Sequence, residues 1–275
     1  MRTPALWKGL LAVLIAAVLA AYIFPYAYLA LTSIKPPNEA ISIPPTLLPS
    51  QISFENYLRI VDFPHVPRSF LNSLIIALLS TAIALALGLP AAYAIARFST
   101  LPGRVFLVVA LITRMVPYVS VAIPLFAIMR TFKLTDTHIA VALAHTIVSL
   151  PLTIWLLVSF FEGIPAELEE AAKVDGASRF GALVRIIVPV TAGGIAVTAI
   201  FAFLASWNEF LFSLLLTSVN AKTAPIAIAE FKTQYGVEWG TMTALSVLYS
   251  VPVIVFALFA QKRIVSGMTM GAVKG

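Results

Sequence analysis

The chain has 275 residues, of which 60% are hydrophobic and 11% charged. A soluble globular domain carries about a quarter of its residues as Asp, Glu, Lys or Arg, so composition excludes that class and makes a lipid bilayer the main solvent. The formal charge of +6 comes from basic residues dispersed between apolar segments, which argues against a nucleic-acid partner, and the lack of Cys excludes disulfides and thiolate metal sites.

A membrane-crossing helix needs about 20 mostly apolar residues. Six segments meet that need: Leu10–Ile34, Phe70–Ile95, Val105–Met129, Ile139–Phe161, Pro189–Leu216 and Thr241–Ala260. The predicted fold class is all-α, a polytopic membrane protein with six transmembrane helices in one domain over residues 1–275. Arg2 and Lys8 precede the first run as in a signal peptide, but the run continues past Ala30, beyond the roughly 7–15 residues of a signal's apolar core. A retained anchor is expected. The loop 35–69 that follows holds seven prolines, each with fixed φ and no N–H, so extended or irregular chain with room for one short helix is expected.

Orientation follows from Lys and Arg, which favour the cytoplasmic side. One face receives Arg2, Lys8, Arg97, Arg104, Lys173, Arg179, Arg185, Lys262, Arg263 and Lys274. The other receives the smaller set of Lys35, Arg59, Arg68, Arg130, Lys133, Lys222 and Lys232. Both termini and the loop 162–188 are thereby expected in the cytoplasm of a multi-pass cell-membrane protein.

The third span carries Arg114, which is costly in lipid unless it is paired or faces water. A structural pair inside the bundle and a contact with a transported solute are both open to it. Pro117 and Pro124 free backbone carbonyls and allow a kink. His138 marks a helix end, and His145, near Pro151, reads as a packing residue. Three scattered histidines offer no metal-ligand spacing.

The loop 162–188 exceeds twenty residues, where a plain connector between helices needs about 2–8. Pro165 suits a first helical turn, Glu167, Glu169 and Glu170 complement the positive N-terminal dipole, and Lys173 lies towards the other end. Leu168, Ala171, Ala172 and Asp175 fall at helical spacing as a small, mostly apolar stripe suited to a groove on a partner. Gly176 can take φ > 0 and stop the helix. Phe180, Leu183, Val184 and Ile187 then form the apolar face of a second helix that leads into the next span.

That fifth apolar run, from Ile186 to Leu216, is too long for one straight helix across a core about 30 Å thick. It must tilt, end near Trp207, or break there and re-enter. Asn208 and Glu209 lie at that point. A buried Glu faces the bundle or a water-filled cavity, which places Trp207, Asn208 and Glu209 on a candidate solute pathway. The alternative sets Glu209 at the outer interface with Trp207 as an aromatic anchor. No Gly-Lys dipeptide occurs, so no phosphate-binding P-loop is present, and neither His-Glu-x-x-His nor Gly-x-Ser-x-Gly is found.

Glu170-Ala171-Ala172, three residues, Gly176, nine residues and Ile186-Ile187-Val188-Pro189 together resemble the EAA loop of ATP-binding-cassette importer permeases, with Val188 where that pattern has Leu. Phe70-Leu71-Asn72-Ser73-Leu74, Ala92-Tyr93-Ala94 with Arg97, and Trp207-Asn208-Glu209-Phe210 are similar to its carbohydrate-uptake branch, and more closely to the MalG-like subunits of maltose transporters. The resemblance implies a type I importer fold and a binding-protein-dependent permease subunit. It implies a second homologous permease, two copies of a cytoplasmic ATP-binding subunit and an extracytoplasmic solute-binding protein. Glu170, Ala171, Ala172, Asp175 and Gly176 would then form the ATPase-coupling site, with hydrolysis on the partner chain and no cofactor on this one. The expected solute is a sugar, oligosaccharide or polyol derivative, for which Tyr235 and Trp239 join the candidate contacts. An ion-coupled secondary transporter working alone is the rival. Such carriers show interrupted helices in repeated halves and intramembrane carboxylates, whereas this chain shows no such repeat and one clear intramembrane acid, Glu209.

Overall fold

The computed structural model describes residues 5–98, 100–234 and 236–272, with side chains from Trp7 to Phe259 in those ranges. Helix α1 (Ala5–Ser33) leads to two short helices, α2 (Pro37–Ala40) and α3 (Glu55–Leu58), and a 3₁₀ turn at Arg59–Asp62. The long α4 (His65–Phe98) is followed by α5 (Leu101–Ile112), a 3₁₀ turn at Thr113–Met115 and α6 (Tyr118–Thr131). Then come α7 (His138–Glu162), α8 (Glu167–Val174), α9 (Arg179–Ala182), a π turn at Leu183–Ile187, α10 (Val188–Val190) and α11 (Ala192–Trp207). The chain closes with α12 (Leu211–Leu216), α13 (Ala224–Ala229), the antiparallel strands β1 (Lys232–Thr233) and β2 (Gly236–Val237), and α14 (Trp239–Ala272).

Four helices are each long and apolar enough to cross a membrane: Trp7–Ser33, His65–Phe98, His138–Glu162 and Trp239–Phe259. The remaining two expected spans are bent. Leu101–Met115 and Tyr118–Thr131 meet at 96°, and Arg179–Val190 meets Ala192–Trp207 at 84°. The first bend replaces the continuous span expected over Val105–Met129. Its cause is local: Pro117 has no N–H to donate and forces Val116 to φ −69°, ψ 129°. In the second, Pro189 removes a donor, the N–H of Val188 reaches back to the carbonyl of Leu183, and Thr191 leaves helical geometry at φ −96°, ψ 12°. The wider winding of that π turn also alters the expected apolar face. Leu183 and Ile187 are buried, whereas Phe180 (71% exposed) and Val184 point outward.

The chain divides into two compact units, one holding the residues up to Val66 with Ala227–Val251, the other Pro67–Ile226 with the chain from Pro252. In the first, the proline-rich loop is more ordered than composition suggests. Glu39 accepts hydrogen bonds from the hydroxyls of Thr46 and Ser50 and the backbone N–H of Ser50, and Lys35 Nζ donates to Thr46 O at 2.6 Å beneath the Tyr28 ring. Asn56 Nδ2 donates to the carbonyls of Ser33 and Lys35 and packs on Gly240, where a Cβ would fall 2.2 Å from Asn56 Oδ1. The membrane-length segment of α1 is wholly unburied, as expected of a helix apolar all round.

The second unit is built around α7, which buries fourteen residues. One apolar cluster joins α7 to α4, α6 and α12 through Ile76, Ala122, Val141 and Phe212. Another joins it to α4 and the π turn through Tyr93, Leu157, Phe161 and Ile187. Gly194 lets α11 approach α7 so closely that a Cβ there would lie 2.5 Å from Phe160 Cγ.

Candidate coupling site and helix breaks

Helix α8 is eight residues long and starts with three acids in its first turn and Lys173 in its last, both favourable to its dipole. It ends as the sequence predicts, on a glycine at positive φ. The N–H of Gly176 (φ +84°) donates to Lys173 O at 3.0 Å, and that of Ala177 to Ala172 O at 2.9 Å. This Schellman pairing satisfies the last carbonyls of the helix. Ser178 then caps α9, its Oγ accepting from Gly181 N at 3.1 Å.

Glu170, Ala171, Asp175 and Gly176 are exposed, and so are Leu168 and Val174, the latter at 88%. Ala172 differs from the other expected coupling residues: at 6% exposure it faces the protein's own body. Beside it, Glu169 is 4% exposed and receives three cationic or polar groups. Tyr93 Oη donates to its Oε1 at 2.5 Å, Lys173 Nζ lies 2.8 Å from Oε1, and Arg97 Nε lies 3.0 Å from Oε2. Burial alone pushes the Glu169 carboxyl up, but the Lys173 and Tyr93 hydrogen bonds and the charges of Lys173 and Arg97 outweigh it and hold the group below the usual carboxylate range. From the sequence Glu169 reads only as an acid that complements the helix dipole. Its Cα spacing from Ala172 placed both on one face, but nothing local identified Tyr93 and Arg97, over seventy residues earlier, as its partners.

At the end of α11 the structure resolves the three possibilities for the long fifth run: the helix stops at Trp207 and α12 restarts at Leu211. Trp207 is buried and stacks on Phe203 at 5.7 Å. Asn208 is exposed and its Nδ2 donates to Leu204 O at 2.8 Å. Glu209 is 8% exposed and accepts the N–H groups of Phe212 (2.9 Å) and Ser213 (3.1 Å), capping α12. Its Oε2 lies 3.0 Å from Nε2 of the fully buried His145, whose ring also meets the hydroxyls of Ser206 and Ser213. Glu209 is thus buried within the protein. Tyr235 lies outside the described residues, and Trp239 is half-exposed at the start of α14 in the other unit.

Arg114 is exposed in the turn between α5 and α6, beside a cavity of about 310 Å³ lined by Thr113, Val116, Tyr118, Val121 and Ile147. Among the described residues it makes no ion pair or hydrogen bond.

The Phe70–Leu74 motif has a defined task. Asn72 Nδ2 donates to the carbonyls of Asn220 and Lys222 at 2.9 Å, its Oδ1 meets His138 Nε2 at 2.8 Å, and Ser73 Oγ accepts Ala224 N–H. The same 218–221 loop wraps the Asp136 carboxylate, which accepts four successive backbone N–H groups. A lone Asp in a short polar connector gave no hint of this clamp.

A mostly helical architecture with several membrane-length helices and an exposed, anchored helix between two of them is that of a polytopic membrane protein. The chain matches the family described as "Binding-protein-dependent transport system inner membrane component" over residues 84–269 and belongs to it. It is 41% identical to the trehalose transport system permease SugB of Mycobacterium tuberculosis, covering 83% of this chain and 85% of that one. It is 36% identical to the trehalose/maltose permease MalG of Thermococcus litoralis over the full length of both chains. A chain of a bacterial ABC transporter that imports alginate superposes with a TM-score of 0.80 at 20% identity, covering 95% of this chain and 98% of that one. The protein is therefore a permease subunit of an ABC importer, and not itself an enzyme.

Proposed function

We propose that this chain forms half of the pathway by which a saccharide or related polyol derivative enters the cell. It would do so with a second homologous permease, two copies of a cytoplasmic ATPase and an extracytoplasmic solute-binding protein. The names of the trehalose and trehalose/maltose relatives and the alginate transporter support the solute class, and a solved alginate transporter in complex with its solute-loaded periplasmic protein supports the last partner.

The observation that carries the coupling reading is α8 itself. It is a short helix closed at its C-terminal end, anchored from behind by Glu169, that presents Leu168, Ala171 and Val174 flanked by Glu170 and Asp175. A helix held this way can transmit force, whereas a solvated loop cannot. The docked ATPase would lie on this exposed face, and the Lys and Arg distribution supports a cytoplasmic position for both termini. Of the three candidate pathway residues, Asn208 is exposed with its Nδ2 bonded to Leu204 O, while Trp207 and Glu209 are buried in the protein.

The test is assembly and transport of the reconstituted complex. Glu170→Lys and Gly176→Asp should insert normally yet lose ATPase co-purification or uptake driven by hydrolysis. Unimpaired association and uptake in both would refute α8 as the docking element. Because the chain lacks Cys, Val174→Cys also reports orientation: it should resist an impermeant thiol reagent in intact cells and react in inverted vesicles. The reverse pattern would refute the cytoplasmic assignment.

A further inference from the structure

We propose that Glu169 is a positioning residue that ties α8 to the transmembrane helix α4 through Tyr93 and Arg97, so that displacement of the docking helix is carried into α4 as well as along the chain. The proposal rests on the docking reading above. Covalent connection alone links α8 backward to α7 and forward, through α9 and the π turn, to α11. Helix α4 lies more than sixty residues earlier and is reached only by side chains.

The contacts are of a kind that transmits load. Glu169, Tyr93 and the Arg97 side chain are 4%, 6% and 11% exposed, so their pairing is shielded from water and salt. Tyr93 and Arg97 stand one helical turn apart on α4 and hold the two oxygens of one carboxylate, Oε1 and Oε2 respectively. Arg97 also reaches past the helix: its Nη1 donates to Ile164 O at 3.1 Å, in the segment that enters α8. One guanidinium therefore grips both α8 and its approach.

The joint also has freedom. Arg97 Nη2 is buried without a hydrogen-bond acceptor, and Nε, though 3.0 Å from the carboxylate, points its N–H off the acceptor direction. Unused donors let the guanidinium turn with α8 while the charges stay together. Glu169 faces inward, so this role is separate from contact with an ATPase, which falls to the opposite face.

The experiment uses the complete reconstituted complex and reads solute transported per ATP hydrolysed. Glu169→Gln should keep ATPase co-purification within about twofold of the parent while that ratio falls about tenfold. Arg97→Gln should match it, and Glu169→Gln combined with Arg97→Gln should be no worse than either alone, because the residues act as one link. Spin labels at Ala166→Cys and Leu87→Cys, both exposed, should keep one distance in nucleotide-free and ATP-trapped states, and the distribution should broaden in Glu169→Gln. If Glu169→Gln disrupts assembly, Tyr93→Phe removes only a hydroxyl and should lower the ratio about threefold with assembly intact. A parental ratio in assembled Glu169→Gln and Arg97→Gln, or in Tyr93→Phe where it is needed, overturns the proposal. Failure of the docking reading is distinct: it appears as unimpaired ATPase association and uptake in both Glu170→Lys and Gly176→Asp.

Discussion

Glu209→Gln probes the break between α11 and α12 with almost no change of shape. The carboxylate accepts Phe212 N–H on one oxygen and Ser213 N–H on the other, with His145 Nε2 beside the second. An amide keeps one acceptor and turns an NH₂ towards the remaining donor. A hydrogen bond to a charged group contributes about 1.5–3 kcal/mol and a neutral one about 0.5–1.5. The substitution thus weakens one bond by about 1 kcal/mol and removes another of about 2, for a loss near 3 kcal/mol. With Glu209 8% and His145 1% exposed, solvent offers little compensation. Thermal unfolding in detergent, followed by circular dichroism, should show a clearly lower midpoint. Solute KM in the reconstituted complex should be unchanged. Glu209→Gln with His145→Gln should lose less than the sum of the singles. A parental midpoint with a raised KM would refute the reasoning and make Glu209 a solute ligand.

Asp136→Asn should loosen the 217–223 loop and change its response to acid. Burial pushes the Asp136 carboxyl up, but the N–H groups of Asn220, Ser218, Ala221 and Val219 prevail and hold it well below the usual carboxylate range. Its contribution is therefore complete above the unfolded value of about 3.9 and lost as pH falls below it; proteolysis within the loop should rise on acidification in the parent and be high at every pH in Asp136→Asn, and an identical pH profile would refute the clamp. Gly194→Ala should lower the unfolding midpoint, because its Cβ would meet the Phe160 ring at 2.5 Å, an overpacking of about 1–3 kcal/mol. Phe160→Leu should relieve that loss, and Gly193→Ala, with nothing within 4 Å, should be harmless; equal effects at the two glycines would exclude the packing explanation.

The number and positions of the apolar segments were legible because lipid demands long apolar runs, and the end of α8 because Gly176 supplies a backbone conformation that other residues resist. Those signals are local. The bends were partly legible: Pro117 warned of a kink, but nothing in the sequence gave its 96° angle. The outward turn of Phe180 and Val184 was hidden, because a simple helical period cannot anticipate the π turn that precedes Pro189. The partners of Glu169, Glu209 and Asp136 were hidden for another reason. Each is satisfied by groups far away in sequence or by backbone N–H groups, and no residue type announces a backbone donor.

The two main helix breaks show how differently a membrane protein can satisfy freed backbone groups, which lipid cannot do. At α11–α12 the break is fixed from several sides: Asn208 serves Leu204 O, Glu209 serves the first N–H groups of α12, and His145 on α7 holds Glu209. At α5–α6 the hydrogen bonds among the described residues are local, with Thr113 Oγ1 donating to Ala110 O at 2.6 Å, Val116 N–H to Thr113 O, and Ser120 N–H to Pro117 O. The first break is anchored across helices by a buried charge, so reshaping it means separating that charge from its partners. The second is held by neighbours that travel with it, and its exposed Arg114 ties it to no other helix among the described residues. Local bonds survive a change of angle and cross-helix bonds do not, so the contacts themselves assign stiffness to the α11–α12 break and freedom to the α5–α6 break.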